Sequence, residues 1–177
     1  MLGGVVLSGG EPCLYEELPE LVREIRKLRL PVKLDTNGLF PGMLGKLMQA
    51  EDTRPSYIAL DLKIAPRRYG ELLPACGAEI AHNPGAALAQ AAALIRESGI
   101  SREYRTLVLP GGYITENDIE ALAPLADGAP WYFRPFRAGN CLDPAWNGLE
   151  EPASKARARA EALAQKARDL GKNGKAL

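Results

Sequence analysis

Gly4-Val5-Val6-Leu7-Ser8-Gly9-Gly10-Glu11-Pro12 is the stretch that decides the fold, together with the segment from Leu14 to Leu30 that follows it. A short, nearly continuous apolar run ends in two glycines. The next segment then sets Leu18, Leu21, Val22, Ile25 and Leu28 on one helical face, with Glu16, Glu17, Arg23, Glu24 and Lys27 elsewhere. A strand that passes through a glycine turn into an amphipathic cover helix is a βα unit.

The unit recurs about every thirty residues, the rhythm of parallel βα repeats. Further strands are expected at Val32–Asp35, Tyr57–Asp61, Tyr104–Leu109 and Trp131–Arg134. Their composition suits strands covered on both faces, the first strand most of all. Helices are expected over Pro41–Ala50, where proline occupies the first turn, and over Ala86–Glu97, closed by Ser98-Gly99. Another opens at Thr115 as N-cap, with Asp118 extending an acidic first turn that the helix dipole favours. A last helix, Pro152–Leu170, is expected to fray beyond Gly171 into Lys172-Asn173-Gly174-Lys175. The pattern predicts an α/β fold, a partial (β/α) TIM-like barrel of about five units. The barrel would occupy residues 1–150, and residues 151–177 would form a C-terminal helix and tail.

Composition narrows the function classes. The chain has 177 residues, with 22 basic side chains balanced by 22 acidic ones, which does not recommend a nucleic acid or an anionic membrane as a partner. No apolar run approaches the roughly 20 residues of a membrane span, and Met1-Leu2-Gly3-Gly4 lacks the basic start of a signal peptide, so a cytoplasmic address is expected. Cys13, Cys76 and Cys141 are far apart in sequence, which argues against a disulfide framework. His82 is the single histidine and reads as a surface residue.

In parallel βα architectures, ligand sites form where the C-terminal strand ends and helix N-termini converge. Polar groups stand at that rim here: Ser8-Gly9-Gly10-Glu11-Pro12, Asp35-Thr36-Asn37-Gly38, Asp61-Leu62-Lys63 and Arg105-Thr106. Turn formation and helix capping explain each taken singly, but their recurrence on one edge reads as a ligand site. Gly9 and Gly10 allow close backbone approach, and Glu11 offers an acceptor for an ammonium group. Asp35 and Asp61, at adjacent strand ends, call for something positive between them: a cation, Lys63 or a ligand amine. Lys63 and Arg105 suit a carboxylate. Together they describe a receptor for a zwitterion. Leu7-Ser8-Gly9-Gly10-Glu11 has a superficial likeness to the signature of ABC ATPases, but no Gly-Lys-Ser/Thr phosphate loop accompanies it. The spacing also fails as a dinucleotide fingerprint.

Val5-Val6-Leu7-Ser8-Gly9-Gly10-Glu11-Pro12, Leu34-Asp35-Thr36-Asn37-Gly38, Asp61-Leu62-Lys63 and Tyr104-Arg105-Thr106-Leu107-Val108-Leu109-Pro110-Gly111, in this order, resemble radical S-adenosylmethionine activating enzymes of glycyl-radical proteins. The activases of anaerobic ribonucleotide reductase and pyruvate formate-lyase are the members most similar in these motifs, over roughly residues 3 to 143. The resemblance implies that Ser8, Gly9, Gly10, Glu11, Pro12, Asp35, Thr36, Asn37, Lys63 and Arg105 form the S-adenosylmethionine site. It further implies a monovalent cation at Asp35, Thr36, Ala59 and Asp61. The implied activity is reductive cleavage of S-adenosylmethionine at a [4Fe–4S] cluster, giving a 5′-deoxyadenosyl radical that takes hydrogen from a glycine of a large partner enzyme. Flavodoxin or ferredoxin would be the electron donor.

The family places a Cys-x3-Cys-x2-Cys loop after its first strand to hold that cluster. This sequence has no such loop, and its first strand matches the family's second. It therefore carries no iron–sulfur ligands of its own and is expected to be inactive alone. A histidine used by some relatives near the last strand is replaced by Arg134-Pro135-Phe136-Arg137. A chain cut at an internal methionine, a two-piece protein and a cluster-free relative all accommodate these facts. The alternative function is a degenerate barrel that binds S-adenosylmethionine or a partner without catalysis. A metal-dependent aldolase or hydrolase built on Asp35, Asp61 and Lys63 lacks the further ligands a divalent site needs. An open strand edge where the cluster-bearing unit would pair is a place for two chains to meet in a crystal.

Overall fold

The computed structural model describes residues 2–72, 83–139, 141, 144–149 and 151–177. Cys76 and His82 lie outside the described residues. Strands β1 (Val5–Leu7), β2 (Val32–Thr36), β3 (Tyr57–Asp61), β4 (Ser101–Val108), β5 (Pro130–Pro135) and β6 (Asn173–Ala176) follow chain order in the sheet. The helices are α1 (Leu18–Lys27), α2 (Pro41–Met48), α3 (Pro84–Glu97), α4 (Glu116–Leu122) and α5 (Ala153–Asp169). No helix among the described residues is long and apolar enough to cross a membrane.

Two compact units divide the chain. The first holds residues 1–62 and 66–104. Within it β1 pairs with β2, and β2 with β3, all in parallel, with Val5 opposite Val32 and Asp35 opposite Ala59. Val32, Leu34, Ile58, Ala59 and Leu60 are fully buried, and Val22, Leu44, Leu47 and Leu88 of the cover helices are equally enclosed. This is the apolar-run-plus-helix pattern of the sequence made into a core. One expectation fails. The first strand reads as covered on both faces, yet Val6 is 58% exposed, because β1 is the edge of the sheet and pairs only with β2 among the described residues.

The second unit holds residues 63–65 and 105–177. Its core is aromatic at β5, where Trp131 and Phe133 are fully buried with ring centroids 5.0 Å apart. Trp131 Nε1–H donates to Thr106 Oγ1 at 2.9 Å, so the one polar atom of the indole is satisfied inside the core. The cap read from sequence at Thr115 is a complete capping box. Buried Asp118 also accepts from the Ala65 N–H at 3.1 Å, fixing the segment after β3 to α4.

The tail departs from the sequence reading. Residues expected to fray form β6, parallel to β5, with Trp131 opposite Gly174. The sequence Asn173-Gly174-Lys175-Ala176 has no alternating apolar signal, so tertiary packing makes this strand. Helix α5 buries Ala156, Ala160, Leu163, Ala164 and Ala167. At Gly174 a Cβ would sit 2.4 Å from the Ala164 carbonyl oxygen, so only glycine admits the helix this close. Among the described residues the sheet therefore has six strands, one more than the five read from sequence. Gly174→Ala is expected to lower the thermal midpoint by several degrees, the equivalent of about 1–3 kcal/mol of overpacking. An unchanged midpoint would contradict the assigned packing.

Candidate functional site

The rim of the first unit is organised around one carboxylate. Glu11 follows the glycine turn after β1 and is only 7% exposed. Its Oε1 accepts from the Cys13 N–H at 3.1 Å and from Thr36 Oγ1–H at 2.8 Å. Its Oε2 accepts from the Asn37 N–H at 2.7 Å. The same side chain thus caps the short turn Pro12–Leu14 and ties the first loop to the end of β2. A buried carboxylate requires such donors, because burial without them costs several kcal/mol.

Ahead of that lock, Ser8, Gly9 and Gly10 are exposed. Gly9 has φ +127°, a conformation that side-chain-bearing residues rarely adopt, and a Cβ at Gly9 or Gly10 would meet no atom within 4 Å. The glycines leave main chain open at the rim. Asn37 closes the β2 end as an Asx turn, its Oδ1 accepting from the Leu39 N–H at 2.9 Å. At Gly38, φ is +75° and a Cβ would lie 2.7 Å from Leu60 Cδ1, so both conformation and packing demand glycine.

Strand alternation sorts the other candidates. Asp35 pairs in register with Ala59, and Asp61 lies two residues farther along β3, so all three share one face. Thr36 points to the opposite face, where its Oγ1 accepts from the Gly38 N–H at 3.1 Å and lies 3.6 Å from Cys13 Sγ. A cation beside Asp35, Ala59 and Asp61 would therefore meet the main chain of Thr36 and not its hydroxyl. Pro12 is half-buried in the capped turn. Lys63 is exposed just beyond β3, and Arg105 is half-buried on β4. Both belong to the second unit.

Cys13 does not suit iron. Burial pushes its thiol up to about 12 from the usual 9.0, with Glu11 as a further contribution in the same direction, so the thiolate that a cluster requires is disfavoured. Among the described residues no group of three or more His, Cys, Asp or Glu is placed to hold a metal ion. The residues present do not fit a [4Fe–4S] cluster. They do fit an amino-acid-bearing ligand at the glycine loop.

A polar cluster escaped the sequence reading. Buried Glu103, near the start of β4, accepts from Lys33 Nζ at 2.9 Å and from Tyr57 O–H at 3.1 Å, and Lys33 also lies over the Tyr57 ring. Lys33 and Tyr57 face one another in the β2–β3 register. These residues lie toward the N-terminal strand ends, the stabilising side of a βα sheet. The polar run Ser101-Arg102-Glu103 carried no apolar signal that would have placed it in a strand.

The chain matches the family model of the Radical SAM superfamily over residues 2–126. A protein of Methanocaldococcus jannaschii, provisionally named as a glycyl-radical enzyme activating enzyme, is 28% identical over 152 residues, covering 84% of this chain and 60% of the relative. A GTP 3′,8-cyclase of Microcystis aeruginosa is 29% identical over 161 residues, covering 86% of this chain and 47% of the relative. The chain thus spans about half to three-fifths of the length of these curated relatives. Among solved structures, a radical SAM methyltransferase from Sphaerobacter thermophilus superposes with a TM-score of 0.69 at 16% identity, over 99% of this chain and 51% of that one. Streptococcus suis SuiB bound to S-adenosylmethionine gives a TM-score of 0.64 at 12% identity, over 98% and 39%. These likenesses show the fold, an α/β arrangement consistent with a partial TIM-like barrel.

Two outcomes test the lock. Glu11→Ala leaves three donors, two of them buried, without their acceptor and is expected to cost roughly 2–4 kcal/mol in denaturant unfolding; an unchanged midpoint would contradict it. Because the folded chain holds the Cys13 proton up to about 12 and the unfolded chain releases it near 9.0, this contribution is complete below pH 9.0 and is lost toward about 12. Cys13→Ala is expected to flatten the alkaline fall in stability across that window. Identical slopes for the two proteins would refute the assignment.

Proposed function

Since the chain belongs to the radical SAM superfamily, we propose that its first unit holds S-adenosylmethionine at the rim of Ser8–Pro12 and Asp35–Asn37. We propose further that the chain is the cofactor-holding part of a glycyl-radical enzyme activase. The observation that carries this reading is the Glu11 lock, which presents an open glycine main chain in front of a fixed carboxylate. The ligand's ammonium would meet main-chain oxygens of the glycine loop and the remaining lone-pair capacity of Glu11. Asp35, Ala59 and Asp61 of the same unit are proposed for a monovalent cation. The protein contributes binding, orientation and charge; S-adenosylmethionine supplies the 5′-deoxyadenosyl group.

No step is assigned through an iron–sulfur cluster, because these residues cannot hold one. In the proposed activase, the three cluster thiolates come from outside residues 1–177, and the exposed edge of β1 is where a further βα unit would pair. The observation that supports this arrangement is the apolar surface beside that edge, where Val6, Tyr15 and Leu21 are all exposed. A partner glycyl-radical enzyme and a flavodoxin or ferredoxin donor complete the proposed system. A catalytically silent S-adenosylmethionine-binding module is the second reading, favoured by the absence of a Cys-x3-Cys-x2-Cys motif from residues 1–177. A three-cysteine loop encoded in frame upstream would decide for the activase.

Calorimetric titration of the 177-residue chain with S-adenosylmethionine is expected to show one site, weakened about tenfold or more by Glu11→Ala. Unchanged affinity in this variant would overturn the site. Anaerobic iron–sulfide reconstitution is expected to leave well under one iron per chain. Incorporation of about four irons would refute the ligand assignment.

A further inference from the structure

A cavity lined wholly by residues of the second unit has no part in the proposed S-adenosylmethionine site. Its volume is about 780 Å³. It opens beside the C-terminal ends of β4 and β5 and the start of α5, the side of a βα fold on which ligands collect. Arg134, Arg137 and Arg157 line it, and none of the three makes a hydrogen bond or ion pair among the described residues. The acidic side chain in its wall, Glu151, is already held by Arg159 at 2.8 Å. Three guanidinium groups therefore line the cavity without an ion pair among the described residues.

Two further features point the same way. Helix α5 starts at Pro152 with no side-chain cap and no acidic residue in its first turn, so its N-terminal N–H groups add positive potential to the same wall. The opposite character lies alongside. Leu107 and Leu149 are 47% and 45% exposed, and half-buried Phe136 stands between the arginines in sequence. Exposed apolar groups beside guanidinium groups in a concave site suit a ligand that has both parts.

We propose that this cavity binds an oxyanion carried on an apolar body. The carboxylate or phosphate would be seated among Arg134, Arg137 and Arg157 at the N-terminus of α5, and an aromatic or aliphatic group would rest against Leu107, Phe136 and Leu149. Guanidinium forks match both oxyanions in geometry. None of these residues belongs to the set proposed for S-adenosylmethionine, so failure of either reading leaves the other standing.

Calorimetry on the 177-residue chain with phenyl phosphate, phenylacetate, inorganic phosphate and benzyl alcohol tests the proposal. At least one aromatic anion is expected to bind at one site per chain, about tenfold or more tighter than benzyl alcohol. The better of the two names the oxyanion. Arg134→Gln and Arg157→Gln are each expected to weaken that anion about tenfold, with circular dichroism and melting unchanged, since both side chains are exposed. Arg137→Gln replaces either variant that fails to fold. Phe136→Ala is expected to weaken the aromatic anion but not inorganic phosphate, and Arg96→Gln on α3 to change nothing. Absence of binding by both aromatic anions, or affinity unaffected by the arginine substitutions, would overturn the proposal.

Discussion

A carboxylate shut away from water between two loops is the constraint around which the first unit's rim is arranged. Glu11 accepts from its own turn and from Thr36 and Asn37 at the end of β2, so neither loop can move without leaving charge or donors unsatisfied. The exposed glycines just before it gain their fixed course from that anchor. A flexible glycine turn alone would pay its ordering entropy when a ligand arrives; one pinned at its far end has already been ordered by folding.

The same lock explains why residues of similar appearance in the sequence divide their work. Asp35 and Thr36 are neighbours, yet alternation sends one toward Ala59 and Asp61 and the other toward Glu11 and Cys13. Cys13 sits beside Gly-Gly-Glu-Pro where a reactive thiol would be tempting, but burial keeps it protonated. It belongs to the packing under the rim. Exposed main chain and the Asp35 face form the front of the rim, with a polar layer behind them that serves the fold.

Much of this was legible in the sequence. The repeated apolar run, glycine turn and amphipathic segment identified parallel βα units, and Thr115 announced the N-cap of α4, where the structure adds the reciprocal bond from Asp118. What escaped depends on contacts distant in sequence. Glu11 and Thr36 are twenty-five positions apart, and nothing in either motif says that they bond. The Lys33, Tyr57 and Glu103 cluster draws on three strands and replaces apolar signal with polar pairing. Strand β6 is invisible to pattern because Gly174 serves the close approach of α5, and the exposure of Val6 follows from β1 being an edge. Sequence periodicity reports which face a residue occupies and is silent on what lies across from it.

The central claim, that the loop anchored by Glu11 receives S-adenosylmethionine, is tested most directly by amide chemical-shift mapping on the isotopically labelled chain during titration with that ligand. The account predicts saturable shifts concentrated at Ser8–Cys13 and Asp35–Gly38, with the Asn37 amide among the most affected. Saturable shifts elsewhere in the chain, with those two segments unmoved, would contradict it.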